Sequence, residues 1–407
     1  MIHQQPDLSP RMSIRASQSE PFRAMAFGAR ADELIAQGRS VIKLGLGEPD
    51  FGAPKAVRNA MIELMDGRPL PYTATFGISE LRKAISAFYR DRHRLDVDSD
   101  RICITCGGSE ALLLATALTV DPNDDVIVAD PSYPCNRELV KTFGGRVINV
   151  PTSAATQYHL DLDRVKQAWT AQTKAVMITS PSNPTGTCIP YETLNAICSY
   201  ADEHQAWRII DETYLDLADT DDEGLNLVRS ALACDPQAIT INSFSKYFGM
   251  TGWRLGWIVL PETLLNAADN LAMNYLLCAP TPVQYAALAC FTPESYAECD
   301  ARRGEFQARR KLVVEGLRAI GLPLEAEPSG AFYVYFDISS TGLGSWEFCE
   351  RLLEERGVAL TPGRDFAVAT ADTHIRLSYA ASREALREGL RRLGEFVSGL
   401  RNERVGG

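Results

Sequence analysis

Between residues 101 and 260, short apolar runs alternate with stretches in which apolar residues recur every three or four positions. The runs at 102–106, 126–129, 146–150, 175–179, 207–210, 238–242 and 257–260 predict strands, because they are short, largely β-branched and bounded by turn-forming residues. The stretches at 110–119, 136–143, 162–170 and 191–204 predict helices. Strands alternating with helices of this length predict an α/β fold with a mostly parallel sheet, covered by helices on both faces. Upstream, residues 21–38 have helical spacing, with Phe22, Met25, Ala26, Ala29, Leu34 and Ile35 apolar, and 41–46 predict a short strand that runs into glycines. Helices follow at 53–66 and 79–92, the second with Ser79 expected as its N-cap. The first 20 or so residues, polar and carrying Pro6 and Pro10, read as an arm.

The rhythm changes near Cys290. A long charged helix at 302–320, a strand at 331–336, a helix at 346–356 and a strand at 374–378 predict a smaller α+β domain. Its last helix carries Leu386, Leu390, Leu393, Val397 and Leu400 on one stripe. The expected division is therefore an N-terminal arm and segment (1–50) packing with the small domain, a large domain (51–290) and the small C-terminal domain (291–407). A chain of 407 residues is long enough for two full cores.

Charge narrows the partners. The formal net charge is −11, which argues against nucleic acid or an anionic membrane. No apolar run approaches the ~20 residues that span a bilayer, and the first residues carry no secretory pattern. The ten cysteines are scattered without a repeating frame, so reduced thiols and a cytoplasmic location are expected. The one CxxC, Cys103 to Cys106, lies in a strand, where positions three apart face opposite ways; no metal site is expected. The five histidines do not cluster and read as surface residues.

The candidate chemistry lies at strand ends, where open α/β sheets bind ligands. Ser243-Phe-Ser-Lys246-Tyr-Phe-Gly-Met-Thr-Gly-Trp-Arg254 forms a polar turn between two strands. A lysine fixed there, desolvated or near another cation, loses its proton readily and condenses with an aldehyde. Ser243, Ser245 and Arg254 are groups suited to a phosphate. Aldehyde and phosphate together suggest pyridoxal 5′-phosphate. Gly107-Gly108-Ser109 precedes a helix and suits a phosphate, although a plain glycine turn is the commoner meaning. Tyr133 can stack on a ring or simply pack in the core. Asn183 sits in a Pro-bracketed turn. Asp211 ends a strand, as an N-cap or as the partner of a buried cation. Leu-Gly-Leu-Gly47 lacks the third glycine of a dinucleotide fingerprint, but Gly47 permits close approach of backbone to a ligand.

These motifs together resemble those of the class I/II aminotransferases, the fold-type-I pyridoxal-phosphate enzymes: Leu-Gly-Leu-Gly-Glu-Pro-Asp-Phe, Tyr72 with Gly77, Gly-Gly-Ser-Glu-Ala-Leu, Asn-Pro-Thr-Gly, Asp-Glu-Thr-Tyr, Ser-Phe-Ser-Lys and Ile-Arg-Leu-Ser. The resemblance implies that Lys246 forms the internal aldimine and moves the proton. It implies that Asp211 pairs with the ring nitrogen, that Tyr214 and Asn183 bond the phenolic oxygen, and that Tyr133 stacks on the ring. By the same resemblance Gly108, Ser109, Ser243, Ser245 and Arg254 would hold the phosphate, joined by Tyr72 from the neighbouring subunit of a homodimer. The resemblance further implies that Arg376 grips the substrate α-carboxylate, helped by Asn183 and the Gly47 backbone. The implied reaction moves an amino group between an L-amino acid and a 2-oxo acid, by way of pyridoxamine phosphate. Some relatives that prefer acidic substrates carry lysine where this chain has Ser109, which disfavours aspartate. The side-chain pocket is expected near Phe22, Met25 and Leu46. The alternative is a lyase or cyclase on the same site, distinguished by whether an amino acid alone converts the cofactor to its amine form. A non-catalytic module of a transcription regulator is opposed by the intact lysine and aspartate and by the acidic charge.

Overall fold

The computed structural model describes residues 12–18, 23–221 and 226–405. Phe22 and His3 lie outside them, as does most of the expected arm. In chain order, helices α1 (Ile14–Gln18) and α2 (Arg23–Ala36) lead to strand β1 (Ile42–Lys43), then α3 (Lys55–Leu64) and α4 (Ser79–His93). The alternating region follows: β2 (Ile102–Thr105), α5 (Gly108–Thr119), β3 (Asp125–Asp130), α6 (Pro134–Thr142), β4 (Arg146–Pro151), α7 (Leu162–Ala168), β5 (Thr173–Thr179), α8 (Tyr191–Glu203) and β6 (Trp207–Asp211). Strands β7 (Ile239–Ser243) and β8 (Gly256–Val259) flank the lysine turn. The chain continues through α9 (Leu265–Tyr275), α10 (Thr281–Ala287), α11 (Pro293–Ala319), β9 (Tyr333–Asp337), α12 (Ser345–Arg356), β10 (Val358–Ala359), β11 (Thr361–Pro362), β12 (His374–Ser378) and α13 (Arg383–Val405).

Seven strands form one sheet in the order β2-β8-β7-β6-β5-β3-β4. All pairs are parallel except those made by β8, which runs against both β2 and β7. Strand alternation divides the apolar residues between two layers. Val126, Val128, Ala175, Met177 and Ile209 pack with α5 and α9 on one face, while Ile127, Val176, Ile178 and Ile210 pack with α7 and α8 on the other. A second, three-stranded sheet has the order β11-β12-β9, and β1 pairs in parallel with β10. The N-terminal segment thereby joins the C-terminal part of the chain.

The expected elements form, with local differences. Ser79 is the first residue of α4, and Ile78 precedes it as the cap without a side-chain bond. The Ile78 N–H donates to Gln284 Oε1 at 2.9 Å, so a tertiary contact meets the cap residue's own N–H, as the third helical residue does in a capping box. Helix α11 starts at Pro293, with Thr292 capping through its hydroxyl to the Ser295 N–H at 3.3 Å. The charged run at 302–320 therefore marks only its later turns. Three histidines correct the surface expectation. His93 Nε2 lies 3.1 Å from Asp216 Oδ1 with both side chains buried. His374 Nε2 meets the Tyr158 hydroxyl at 3.0 Å. Burial holds His159 down to about 4, so it is neutral near pH 7. Each has a polar partner or stays uncharged, and this lets an imidazole leave water.

Candidate active site

The carboxyl ends of β5, β6 and β7 and the first turn of α5 open into one cavity of about 400 Å³. Every residue of the sequence-derived site except Tyr72 lines it: Gly47, Gly108, Ser109, Tyr133, Asn183, Asp211, Tyr214, Ser243, Ser245, Lys246, Arg254 and Arg376. Tyr72 is 79% exposed and stands away from it. Met25 and Leu46 also line the cavity.

At one end stands an arrangement suited to a dianion. Gly107 precedes α5 with φ +83°, and a Cβ there would come within 2.5 Å of Arg254 Nη2. Only glycine lets the guanidinium lie against this turn. The α5 N-terminus presents its unpaired N–H groups. Ser243 Oγ lies 2.9 Å from Ser245 Oγ and accepts from the Ser245 N–H at 3.1 Å. Arg254 is bonded to backbone carbonyls, Thr251 O at 2.8 Å and Cys106 O at 3.4 Å. These are donors, and the cation is tethered by neutral oxygens, so the end fits a phosphate.

Lys246 Nζ donates to Gly47 O at 2.7 Å. Burial pushes its pKa down from 10.5 to about 8, against the opposing pull of Glu48. A buried ammonium facing a neutral carbonyl holds its proton loosely, which is what a nucleophilic or proton-moving amine requires. The same shift makes a stability prediction for the ligand-free protein. Below pH 8 the lysine is charged in both folded and unfolded chains, and the folded state carries the desolvation cost. Between about 8 and 10.5 the unfolded chain binds more protons, so stability rises with pH. Relative to Lys246→Met, the wild type is expected to gain about 3 kcal/mol across that window, read from urea midpoints at each pH. Parallel pH curves for the two proteins would remove the shift.

Asp211 ends β6 beneath the cavity, with Oδ1 accepting from the Thr213 N–H at 3.0 Å. Its pKa is raised by burial and lowered in part by those bonds and by Lys246. A carboxylate held in that state gains from a cation arriving beside it. The Tyr214 hydroxyl lies 2.7 Å from that of Tyr333, and Tyr133 borders the same space. A buried carboxylate, tyrosine hydroxyls and a bordering aromatic fit a flat, protonated nitrogen ring.

Arg376, on β12, is 1% exposed. Its Nη1 donates to Asn183 Oδ1 at 2.8 Å and its Nη2 to Gly45 O at 2.5 Å. Its guanidinium carbon sits 4.5 Å from the ring centroids of both Tyr333 and Phe366. The Nε has no hydrogen-bond partner among the described residues, and desolvation lowers the pKa of the group. A buried cation stacked between two rings and bonded to neutral oxygens fits a carboxylate ligand.

Tyr333, Thr179, Thr213, Glu48 and Thr251 join the cavity lining although no role was assigned to them from the sequence. Thr213 follows Asp211 by two positions, a spacing that signals a local side-chain-to-backbone turn. Tyr333 carries no such signal, because it sits in an aromatic-rich apolar run that reads as core.

The family model for aminotransferase class I and II matches residues 39–393, and the chain belongs to that family. It is 37% identical over 390 residues to a valine–pyruvate aminotransferase of Mycobacterium tuberculosis, covering 96% of this chain and 99% of that protein. It is also 37% identical over 388 residues to an aspartate/prephenate aminotransferase of Thermus thermophilus, covering 95% and 98%. The crystal structure of an aminotransferase from Mycobacterium tuberculosis superposes with a TM-score of 0.92 at 37% identity, over 96% of this chain and all of that one. The Thermus thermophilus aspartate aminotransferase with maleate gives 0.89 at 36% identity, over 95% of this chain and all of that one.

Proposed function

We propose that this aminotransferase binds pyridoxal 5′-phosphate at Lys246 and uses it to move an amino group from an L-amino acid to a 2-oxo acid. The observation that carries this reading is the convergence of a loosely protonated lysine, a buried aspartate, a phosphate-type cradle and a carboxylate-type arginine on one cavity. Gly108, Ser109, Ser243, Ser245 and Arg254 hold the phosphate, Asp211 the ring nitrogen, Tyr214 and Asn183 the phenolic oxygen, and Tyr133 the ring face. Bound, the cofactor supplies an electron sink for the charge left on the substrate α-carbon. Arg376 and the Gly47 backbone orient the substrate by its carboxylate, and Lys246 Nζ takes the α-proton and returns it. Mixing the cofactor-loaded protein with one amino acid is the test. The visible band is expected to bleach with release of a stoichiometric 2-oxo acid. A product that retains its nitrogen would favour elimination or cyclisation instead.

The working unit is a homodimer with shared sites. Ile62 on α3, Met65 just after it, Tyr72, Leu276 and Leu277 after α9, and Tyr285 on α10 are exposed apolar side chains. They lie on adjoining elements: α3 packs on α10, and Thr281 Oγ1 on α10 donates to Pro71 O at 2.7 Å. An apolar face of this extent supports a second copy as its cover, and Tyr72 then reaches the neighbour's phosphate. The division at residues 51 and 291 goes with this reading, the pairing of β1 with β10 tying the N-terminal segment to the smaller unit. All ten cysteines are free thiols, which supports a cytoplasmic setting. Among the described residues no helix is long and apolar enough to cross a membrane. Shared sites make a complementation prediction. Tyr72→Ala and Lys246→Ala proteins, each impaired, regain activity when mixed and allowed to exchange subunits, because one site of each hybrid is intact. No recovery in verified hybrids, or full activity of a monomer, would remove Tyr72 from the site.

A further inference from the structure

Tyr333 touches both working ends of the cavity. It is fully buried on β9, its hydroxyl lies 2.7 Å from that of Tyr214, and the Arg376 guanidinium lies 4.5 Å over its ring. The backbone is shaped around it. A Cβ on Gly47 would collide with the Tyr333 hydroxyl, so glycine at that position is what lets the 45–48 segment close over the phenol. The Tyr214 and Tyr333 rings meet edge to face, with centroids 5.6 Å apart at 76°. Phe332 packs on Tyr214 in the same way, at 5.6 Å and 79°.

We propose that Tyr333 is a positioning residue that couples the two grips of the site: its hydroxyl donates to the Tyr214 oxygen and so aims the Tyr214 proton into the cavity, while its ring face holds the Arg376 guanidinium. This rests on the cofactor reading above and adds to it. Two hydroxyls 2.7 Å apart share one proton, and the more acidic phenol donates. A full cation over the Tyr333 ring draws its electrons and makes it the stronger donor. Over the Tyr214 ring the nearest cation among the described residues is Lys246 Nζ, at 5.7 Å, farther off than Arg376 is from Tyr333. A hydroxyl oxygen that has accepted a hydrogen bond becomes a better donor itself. Tyr214 is thereby left with its proton free and polarised for an anionic oxygen on the ligand.

The test uses the full chain loaded with pyridoxal 5′-phosphate, and follows its visible absorption against pH in wild type, Tyr333→Phe, Tyr214→Phe and the double variant. A donor to the ring's phenolate oxygen favours loss of the neighbouring proton, so weakening that donor raises the transition midpoint. Tyr333→Phe is expected to raise it by about half to one pH unit. Tyr214→Phe raises it further, and the double variant goes no higher than Tyr214→Phe alone, because Tyr333 acts through Tyr214. Phenylalanine keeps the ring face, so Tyr333→Phe leaves the KM for the amino acid within about twofold, whereas Tyr333→Leu raises it about fivefold or more. An unmoved midpoint in Tyr333→Phe, additive shifts in the double variant, or equal KM values for the Phe and Leu proteins would overturn the proposal. Failure of the underlying reading looks different: the wild type itself would then show no visible band on loading.

Discussion

Lys246→Ala is expected to abolish amino-group transfer, lowering turnover by at least about 10⁴-fold, while the protein stays folded. The expectation follows from the cavity's inventory. Among the described residues Lys246 is the one amine lining the cavity, held at 2.7 Å from Gly47 O with its proton weakened by burial to a pKa of about 8. The other lining cations are guanidiniums, which do not give up a proton near neutrality. Asp211 also lines the cavity, but its Oδ1 already accepts the Thr213 N–H. No second amine among the described lining residues is there to take over proton transfer at the α-carbon. Removing the side chain also relieves the cost of a desolvated cation, so the variant should be no less stable than wild type near pH 7. The measurements are single-turnover release of 2-oxo acid and a thermal melt on the same preparation. Full turnover by a folded Lys246→Ala protein would remove this lysine from the chemistry.

Much of this was legible because α/β sheets translate sequence order into spatial order. Each of β5, β6 and β7 ends at a residue or turn that the alternating pattern isolates: Asn183 after β5, Asp211 at the end of β6, and Lys246 after β7. A parallel sheet brings these strand ends side by side, so a linear list becomes a cluster. Arg376 was visible only through a resemblance of motif, since nothing in its spacing carries a strand of a second sheet to the first. Tyr333 was not visible at all. Its role depends on a hydroxyl meeting Tyr214 across 119 positions of chain, and an apolar strand with several aromatics looks like core from either side. The buried histidines were misread for a similar reason: His93 and His374 leave water because Asp216 and Tyr158, distant in sequence, are there to meet them. Contacts between elements decide such cases, and periodicity reports only on the elements themselves.

Arg376→Ala is expected to cut kcat/KM for amino acids by about 10²- to 10³-fold, chiefly through KM. The guanidinium is 1% exposed, and its bonds to Asn183 and Gly45 use neutral oxygens. A substrate carboxylate arriving there meets a cation already stripped of water and fixed between Tyr333 and Phe366. Little further desolvation or ordering is required, so the interaction keeps more of its strength than a surface pair does. Arg376→Lys should recover only a small part of the loss, because an ammonium cannot reproduce the planar fork or the stacking on both rings. A built-in control separates carboxylate recognition from damage to the cavity. For an amine that matches the substrate but lacks its carboxylate, wild type and Arg376→Ala should react at similar, slow rates. If Arg376→Ala slows both compounds equally, the arginine is maintaining the cavity's shape. If the KM for amino acids is unchanged, the carboxylate is held elsewhere, and the Asn183–Arg376 pair serves only to pack β12 against the turn that follows β5.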